Sequence, residues 1–261
     1  MIIKVVFVFL YTRAKLFINK LHKKKQCYVC GEQFWFFNKY NGGVKKVNSF
    51  LLHLNMIGSD LNNFECLYCG AHDRERHLYM FFDKLCFWDK MFNSRILHFA
   101  PEKNLQHKIL QFNPCEYVKA DFHPLKKDVL FVDATNITFA DEKFDIVIAN
   151  HVLEHIKNYH KALTEIFRVL KFGGVAILQT PYSSMLKNNF EDTGIDTKEA
   201  KIFFYGQQDH VRIFSEIELH SCIKEVGFNL KVIKHSKYYS LVDADYYGVN
   251  EAENLLFAIK E

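Results

Sequence analysis

The sequence predicts an α/β protein in which a mostly parallel sheet carries helices on both faces, preceded by a small cysteine-rich segment. Two observations support this. Between residues 95 and 181, short apolar runs alternate with amphipathic stretches, which is the order of a parallel sheet. Upstream, two CxxCG motifs stand at 27–31 and 66–70. A chain of 261 residues can bury one large core beside a small satellite domain.

Each predicted strand is an apolar run that ends at a proline or at a polar residue. The run RILHFA stops before Pro101, EYVKAD ends on Asp121, VLFVDAT places Asp133 after its apolar residues, and FDIVIAN ends at Asn150. The carboxyl ends of parallel strands share one edge of the sheet, and ligands of such sheets bind beyond that edge. We therefore expect a ligand site there.

The rest of the chain continues the pattern. A helix with apolar residues from 162 to 170 is expected to end at Gly173 and Gly174 and to pass into a strand that stops at Pro181. The connection 181–214 is long enough to fold over the opening as a functional loop. A helix with a capping box from Ser215 to Glu218 and a last strand, ENLLFAIK, complete the prediction.

These segments together resemble the class I S-adenosylmethionine-dependent methyltransferases, specifically a zinc-ribbon-bearing branch of the type 11 methyltransferase family. The likeness covers most of the chain from Cys27 on and rests on LHFAPE, ADF, DATNITFADEKFDIVIANHVLEHI, EIFRVLKFGGVAILQTP and GQQDHVRIF. It implies a seven-stranded, mostly parallel, Rossmann-like sheet and an enzyme that uses S-adenosylmethionine as cofactor.

The resemblance also implies cofactor-binding residues. Asp121 would hold the ribose diol, and Asp133, followed by Ala134, would face the adenine amine. Asn150 and His151 would border the methionine end and the methyl group. A carboxylate suits the ribose because it accepts two hydroxyl donors at once.

The turn after the first strand departs from the superfamily, which has a glycine-rich turn there. This chain reads Ala100, Pro101, Glu102, without glycine. We expect an altered cofactor cradle in which Glu102 takes the ammonium group. The alternatives are a pseudoenzyme without cofactor and a dinucleotide-dependent dehydrogenase, which lacks support because its glycine fingerprint is absent.

The cysteine motifs predict a structural zinc site. Cys27, Cys30, Cys66 and Cys69 supply four thiolates, which fill the tetrahedral sphere of zinc, and glycine after each pair permits the turn. Four thiolates leave no open position for chemistry. Redox dithiols and ordinary buried cysteines are the alternatives.

The connection 181–214 carries the predicted catalytic and acceptor-binding residues. His210 is the first candidate for a general base that deprotonates a hydroxyl acceptor, with Asp209 orienting it. His151 is the second candidate. Gln207 and Arg212 are expected to bind the acceptor, Arg212 through a carboxylate or phosphate. Each histidine has an alternative interpretation as a hydrogen-bonded loop residue.

A helix is predicted in GAHDRERHLYMFFDKLCFW, and it would clamp the cysteine module onto the sheet. Arg74, Arg76 and His77 stand at its start. Two interpretations are open for them: a solvated helix start, or a site for an anionic part of the substrate.

Composition and charge limit the partners. The net charge is +4, and the excess is concentrated at Lys20 to Lys25, which is not the basic stripe of a dedicated nucleic-acid binder. Reduced metal-binding cysteines indicate a cytoplasmic protein. The acceptor is expected to be a small molecule or a glycan; an alternative function is a zinc-ribbon module that binds nucleic acid or protein beside an inactive methyltransferase-like domain.

The N-terminal segment MIIKVVFVFLY is too short to span a bilayer, which needs ~20 apolar residues, and lacks a secretory cleavage site. It is interpreted as a packed helix or strand, as an interfacial membrane anchor through residues 1–25, or as the result of an incorrectly assigned start. The predicted organisation is 1–24 for this segment, 25–92 for the zinc ribbon with its linking helix, and 93–261 for the methyltransferase domain.

Overall fold

The computed structural model describes residues 25–261. The N-terminal segment 1–24, with the hypothesis of a membrane anchor, lies outside the described residues. Over the described range the strands are β1 (Lys25–Gln26), β2 (Gln33–Phe34), β3 (Met56–Ile57), β4 (Arg95–Phe99), β5 (Glu116–Asp121), β6 (Leu130–Phe131), β7 (Phe144–Ala149), β8 (Leu170–Ile177), β9 (Tyr182–Ser183), β10 (Phe214–Ser215), β11 (Phe228–Ile233) and β12 (Leu255–Lys260).

The helices surround these strands and are mostly short. They are α1 (Ser49–His53), α2 (Asp73–Lys84), α3 (Lys103–Gln111), α4 (Tyr159–Val169), α5 (Lys198–Tyr205), α6 (Glu216–Glu225) and α7 (Leu241–Tyr247), with 3₁₀ turns at Val44–Lys46, Phe87–Met91, Leu153–His155 and His235–Lys237. Among residues 25–261, no helix is both long enough and apolar enough to cross a membrane.

The large sheet has seven strands in the order β11-β12-β8-β7-β4-β5-β6. Strands β4 to β8 run parallel, and β12 is antiparallel to both of its neighbours. The chain starts the sheet at β4 and winds outward in both directions, so the order reverses between β4 and β7. The predicted Rossmann-like, mostly parallel sheet is confirmed, and its switch point is where such sheets bind ligands.

Apolar layers cover both faces of this sheet. Along β7, Ile146 and Ile148 pack into one layer with α2 and α3, while Val147 and Ala149 pack into the other with α4 and α6. A strand buried on both faces needs apolar residues at successive positions. This explains why FDIVIA reads as a continuous apolar run.

The end of α4 differs from the prediction. The helix ends at Val169, and Gly173 and Gly174 lie inside β8. Leu170 already pairs with Phe144, and the register then shifts before the pairing resumes. A Cβ on Gly174 would lie 2.8 Å from the carbonyl oxygen of Lys171, so glycine here permits an irregularity in the strand.

The connection 181–214 is structured. It contains β9, α5 and the start of β10, and β9 pairs with β10 and with β3 of the N-terminal part in a small three-stranded sheet. Helix α6 then begins as expected, with Ser215 capping the amide of Glu218 at 3.5 Å. The second half of the predicted capping box is not formed, because the Glu218 carboxylate accepts a hydrogen bond from the Asn189 amide.

Arg76 ties the cysteine module to the C-terminal part of the chain. Its side chain is fully buried, and its guanidinium lies over the Phe37 ring at 3.8 Å. It donates to backbone carbonyls from three segments, those of Asn63, Phe64, Ala71, Tyr247 and Gly248. Both sequence-based interpretations of Arg76 and His77, as solvated residues or as an anion site, are therefore wrong, because each is fully enclosed by protein.

Candidate active site

Two adjacent strands end in the same unusual backbone conformation. Ala100, directly after β4, has φ 46°, and His151, two residues after β7, has φ 54°. The left-handed region costs an L-residue roughly 1–2 kcal/mol. Ala100 thus adopts a conformation typical of glycine although glycine is absent, and the chain turns sharply away from the sheet at both strand ends.

Glu102 joins the ends of β4 and β7. Its Oε1 accepts from Nδ2 of Asn150 at 2.7 Å, and its Oε2 accepts from Nε2 of His98 at 2.9 Å. Nδ1 of His98 in turn lies 2.8 Å from the Tyr117 hydroxyl. Burial alone would raise the pKa of Glu102, but the hydrogen bond and charge of His98 hold it below its usual range. The result is a fixed carboxylate at the switch point.

Asp121 and Asp133 each use one carboxylate oxygen locally. Oδ1 of Asp121 accepts from the His123 amide at 2.7 Å, and Oδ1 of Asp133 accepts from the amide and hydroxyl of Thr135, both at 2.8 Å. Within residues 25–261 the second oxygen of each carboxylate has no hydrogen-bond partner. These oxygens can accept hydrogen bonds from hydroxyl or amine groups of a ligand, and Ala134, which follows Asp133 in the chain, is buried.

Buried polar atoms without partners mark the same edge of the sheet. Within the described part of the chain, Oδ1 of Asn150 and both amide atoms of Gln179 are buried and unpaired. Gln179 follows β8 and is 1% exposed. An unpaired buried polar group costs roughly 1–3 kcal/mol, so this group of atoms fits a site completed by a polar ligand. Sequence reasoning missed Gln179, although its place after a strand was a usable signal.

His151 lies between two buried carboxylates. Its Nε2 is 2.9 Å from Oε1 of Glu253, and its Nδ1 is 3.6 Å from Oε1 of Glu154. Its backbone amide donates to the carbonyl of Gln179 at 2.7 Å, which fixes the turn. Burial would raise the pKa of Glu253, but the hydrogen bond of His151 and the charges of His151 and His77 hold it well below its usual range. The ionised Glu253 carboxylate can orient the imidazole.

A second histidine pair extends this network into the N-terminal part. Nδ1 of His77, on α2, lies 3.8 Å from Oε2 of Glu253. The other ring nitrogen of His77 is 2.8 Å from Nδ1 of His235. All of these side chains are buried, so α2 and the strand-end histidine are connected through one polar network.

The predicted pairing of Asp209 with His210 is wrong. Oδ2 of Asp209 lies 3.4 Å from Nδ1 of His155, whereas Nδ1 of His210 lies 3.2 Å from the carbonyl oxygen of Tyr205. The two imidazole rings are 4.8 Å apart, and His210 is buried. Burial lowers the pKa of His210, which favours its neutral form. Gln207 is half-buried on the same turn.

The structure gives Arg212 a role that differs from acceptor binding. The side chain is 3% exposed and pairs with Glu191 at 2.6 Å. Its remaining donors bind the carbonyls of the turn after β7, those of Leu153, Ile156 and Lys157. Because these partners occupy the guanidinium group, we assign to Arg212 the role of holding the connection 181–214 against this turn.

The four cysteines of the CxxCG motifs converge. Sγ of Cys27 and Cys69 are 3.7 Å apart, and Sγ of Cys30 and Cys66 are 3.8 Å apart. Tetrahedral zinc with bonds of about 2.3 Å requires sulfur separations of about 3.8 Å. The cysteines therefore fit a small zinc-binding module.

The turns of that module are equivalent. Gly31 and Gly70 have φ 74° and 73°, and their amides donate to the carbonyls of Cys27 and Cys66 at 2.9 and 3.0 Å. Positive φ at both positions explains the glycine that follows each cysteine pair.

The chain is similar to several known proteins. An uncharacterized protein of Methanocaldococcus jannaschii is 32% identical over 104 residues, which are 40% of this chain and 47% of that protein, so the chain matches about half the length of this relative. Solved structures similar to this chain include S-adenosylmethionine-dependent methyltransferases of Mesorhizobium loti and Archaeoglobus fulgidus. Their identities are 8% and 13% and their TM-scores 0.49 and 0.46. They cover 67% and 72% of this chain, and the chain covers 97% and 95% of theirs.

A family model described as a methyltransferase domain matches residues 70–232, which is more than half of the chain. The matched region contains β4 to β8 and every strand end that forms the candidate site. The chain therefore belongs to the methyltransferase domain family.

Proposed function

We propose that this methyltransferase transfers its methyl group to a hydroxyl of a small molecule or a glycan. The observation that carries the proposal is the buried pair of His151 and Glu253 at the end of β7. A hydroxyl acceptor must lose a proton during transfer, and an imidazole held by a carboxylate is suited to accept it.

The strand-end residues suit the cofactor. The free oxygens of Asp121 and Asp133 would accept from the ribose diol and the adenine amine, with Ala134 beside them. Glu102 would hold the ammonium group, and the unpaired Asn150 oxygen is available to the same end of the cofactor. Bound S-adenosylmethionine supplies an activated methyl group. The protein therefore mainly aligns the acceptor and removes its proton.

His151 is the base that the contacts favour. When Nε2–H donates to Glu253, Nδ1 keeps its lone pair and can take the acceptor proton. His210, the first candidate from the sequence, lacks the carboxylate partner that was expected for it, because Asp209 lies against His155. His210 lies in the connection 181–214, which faces the turn after β7, where an acceptor would approach.

We also propose that Cys27, Cys30, Cys66 and Cys69 hold one structural zinc ion. Four thiolates complete its coordination, so the metal would stabilise the module without taking part in methyl transfer.

The test of the function is transfer of a labelled methyl group to a panel of small molecules and oligosaccharides. We expect labelling of a hydroxyl oxygen, and a loss of turnover of ~100-fold or more in His151→Ala, the scale of losing a general base. His107→Ala, an exposed histidine on α3, serves as the control. Labelling confined to nitrogen or carbon acceptors, or full activity of His151→Ala, would overturn the proposal.

A further inference from the structure

We propose that Glu154, His155 and His210 bind a divalent cation beside the methyl-transfer site. Glu154 and His155 lie in the 3₁₀ turn after β7, and His210 lies between α5 and β10. The amide of Val211 donates to the carbonyl of Glu154 at 3.0 Å and holds the two segments together. Residues more than 50 positions apart thus form one cluster.

The three side chains of this cluster are close enough to one another to bind a single ion. One ligand atom from each of the three side chains lies within 4.8 Å of the others. Oε1 of Glu154 is 3.8 Å from Nε2 of His155, too far for a hydrogen bond. Two ligands bound to one cation at about 2.2 Å, with an angle of about 120° between the two bonds, lie about 3.8 Å apart.

Glu154 lacks the partners that a buried carboxylate needs. It is 1% exposed, and its Oε2 has no hydrogen-bond partner within the described residues. Among residues 25–261, the nearest partners given for its other oxygen are the nitrogens of His151 and His155, at 3.6 and 3.8 Å. A buried charge without close pairing is costly, and a bound cation would remove that cost.

Both histidines are oriented as metal ligands are. Nδ1 of His155 faces Asp209, whose carboxylate is 3.4 Å away, and Nδ1 of His210 faces the Tyr205 carbonyl at 3.2 Å. A proton on each Nδ1 leaves each Nε2 with a lone pair. Carboxylate and carbonyl groups behind the imidazole fix this tautomer in metal sites generally. Asp209 thereby acquires a positioning role for His155.

The donor set defines the class of ion. Two imidazoles and one carboxylate suit manganese, iron, cobalt, nickel or zinc better than calcium or magnesium, and they leave coordination positions open. The side chain of His155 is 33% exposed, so the cluster can be reached from solvent. If the proposed function holds, an open position would take an oxygen of the acceptor and lower the pKa of its hydroxyl.

Manganese binding to the full chain tests the proposal without cofactor or acceptor. Manganese is the probe because it binds thiolate ligands poorly, so it should not enter the cysteine site. The zinc-replete protein is titrated with Mn²⁺, and the concentration of free Mn²⁺ is measured by electron paramagnetic resonance. We expect one bound ion, with affinity reduced at least tenfold in His155→Ala and in His210→Ala. The control variant His107→Ala should match the parent.

A spectroscopic readout on the parent keeps the proposal testable if a variant fails to fold. Electron spin echo modulation of bound Mn²⁺ should show couplings to histidine nitrogen. No binding by the parent, binding without nitrogen couplings, or unchanged affinity in both folded variants would overturn the cation site. None of these results would bear on methyl transfer itself, which is measured separately with labelled donor.

Discussion

Single residues at the strand ends determine what the sheet can bind. Asp121, Asp133 and Asn150 could be placed from the sequence, because each follows an apolar run whose end is fixed by the sheet. Glu253 could not. It lies 102 positions from His151, in a segment without periodicity, and only folding brings the two together. The predicted pairing of Asp209 with His210 is wrong because residues that are neighbours in sequence on a turn need not face each other.

Glu253→Gln should slow turnover by ~10-fold or more, because the neutral amide stabilises a protonated His151 less than a carboxylate does. The affinity for S-adenosylmethionine and the Michaelis constant of the acceptor should change little, since Glu253 is expected to contact His151 and neither the cofactor nor the acceptor. Steady-state kinetics measures the turnover number and the Michaelis constant, and calorimetry measures the affinity for S-adenosylmethionine. Glu251→Gln, an exposed neighbour, is the matched control.

A Glu253→Gln variant with normal turnover would remove the orienting role of this carboxylate. A variant that loses stability and cofactor affinity together would make the contact structural. A change in melting temperature, measured alongside, separates these outcomes.

At the scale of elements, the sequence predicts those strands and helices that are determined by their own apolar spacing and capping residues. Strands β4, β5 and β7 and helix α6 follow from apolar spacing and a cap. Helix α4 was predicted too long because glycines commonly end helices, whereas Gly173 and Gly174 here serve an irregular strand start that is set by pairing with β7. Arg76 shows the same limit: a charged residue at a helix start suggests solvent, and only the tertiary structure buries it.

Arg76→Ala should reduce the free energy of unfolding by ~3–5 kcal/mol, because it leaves several buried carbonyls without a donor and opens a cavity. Arg76→Lys should recover only part of this loss, since an ammonium lacks the planar fork. Urea denaturation followed by circular dichroism measures both variants. Arg95→Ala is the control, because that side chain is half-exposed and its ion pair spans 3.9 Å.

Equal stability of Arg76→Ala and Arg95→Ala would contradict the assigned clamp between the cysteine module and the C-terminal segment.

At the scale of the whole molecule, two sets of contacts connect the cysteine module to the candidate active site. The module packs on α2, and the His77 side chain of α2 approaches the Glu253 that orients His151. The CxxCG spacing predicted the module itself. The connection between module and site was beyond the sequence, since it depends on how α2 is seated against the sheet.

Purified protein should contain about one zinc per chain, and its removal by a chelator should lower the melting temperature, since binding energy is folding energy in such modules. Cys27→Ser with Cys30→Ser should lower both zinc content and stability. Cys86→Ser with Cys115→Ser is the matched control, as both of those cysteines are exposed. Freshly purified protein without zinc, and a Cys27/Cys30 double variant as stable as the parent, would contradict the zinc site.

Calorimetric titration with S-adenosylmethionine, carried out on the parent protein and on Asp121→Ala, tests whether the carboxyl edge of the sheet is the cofactor site. We expect one site per chain in the parent and an affinity weaker by ~1.5–3 kcal/mol in Asp121→Ala, the scale of losing hydrogen bonds to a charged group. Asp128→Ala, an exposed aspartate beyond β5, should bind as the parent does. Absence of binding by the folded parent, or equal affinity of the parent and Asp121→Ala, would contradict the assignment of this sheet edge as the cofactor site.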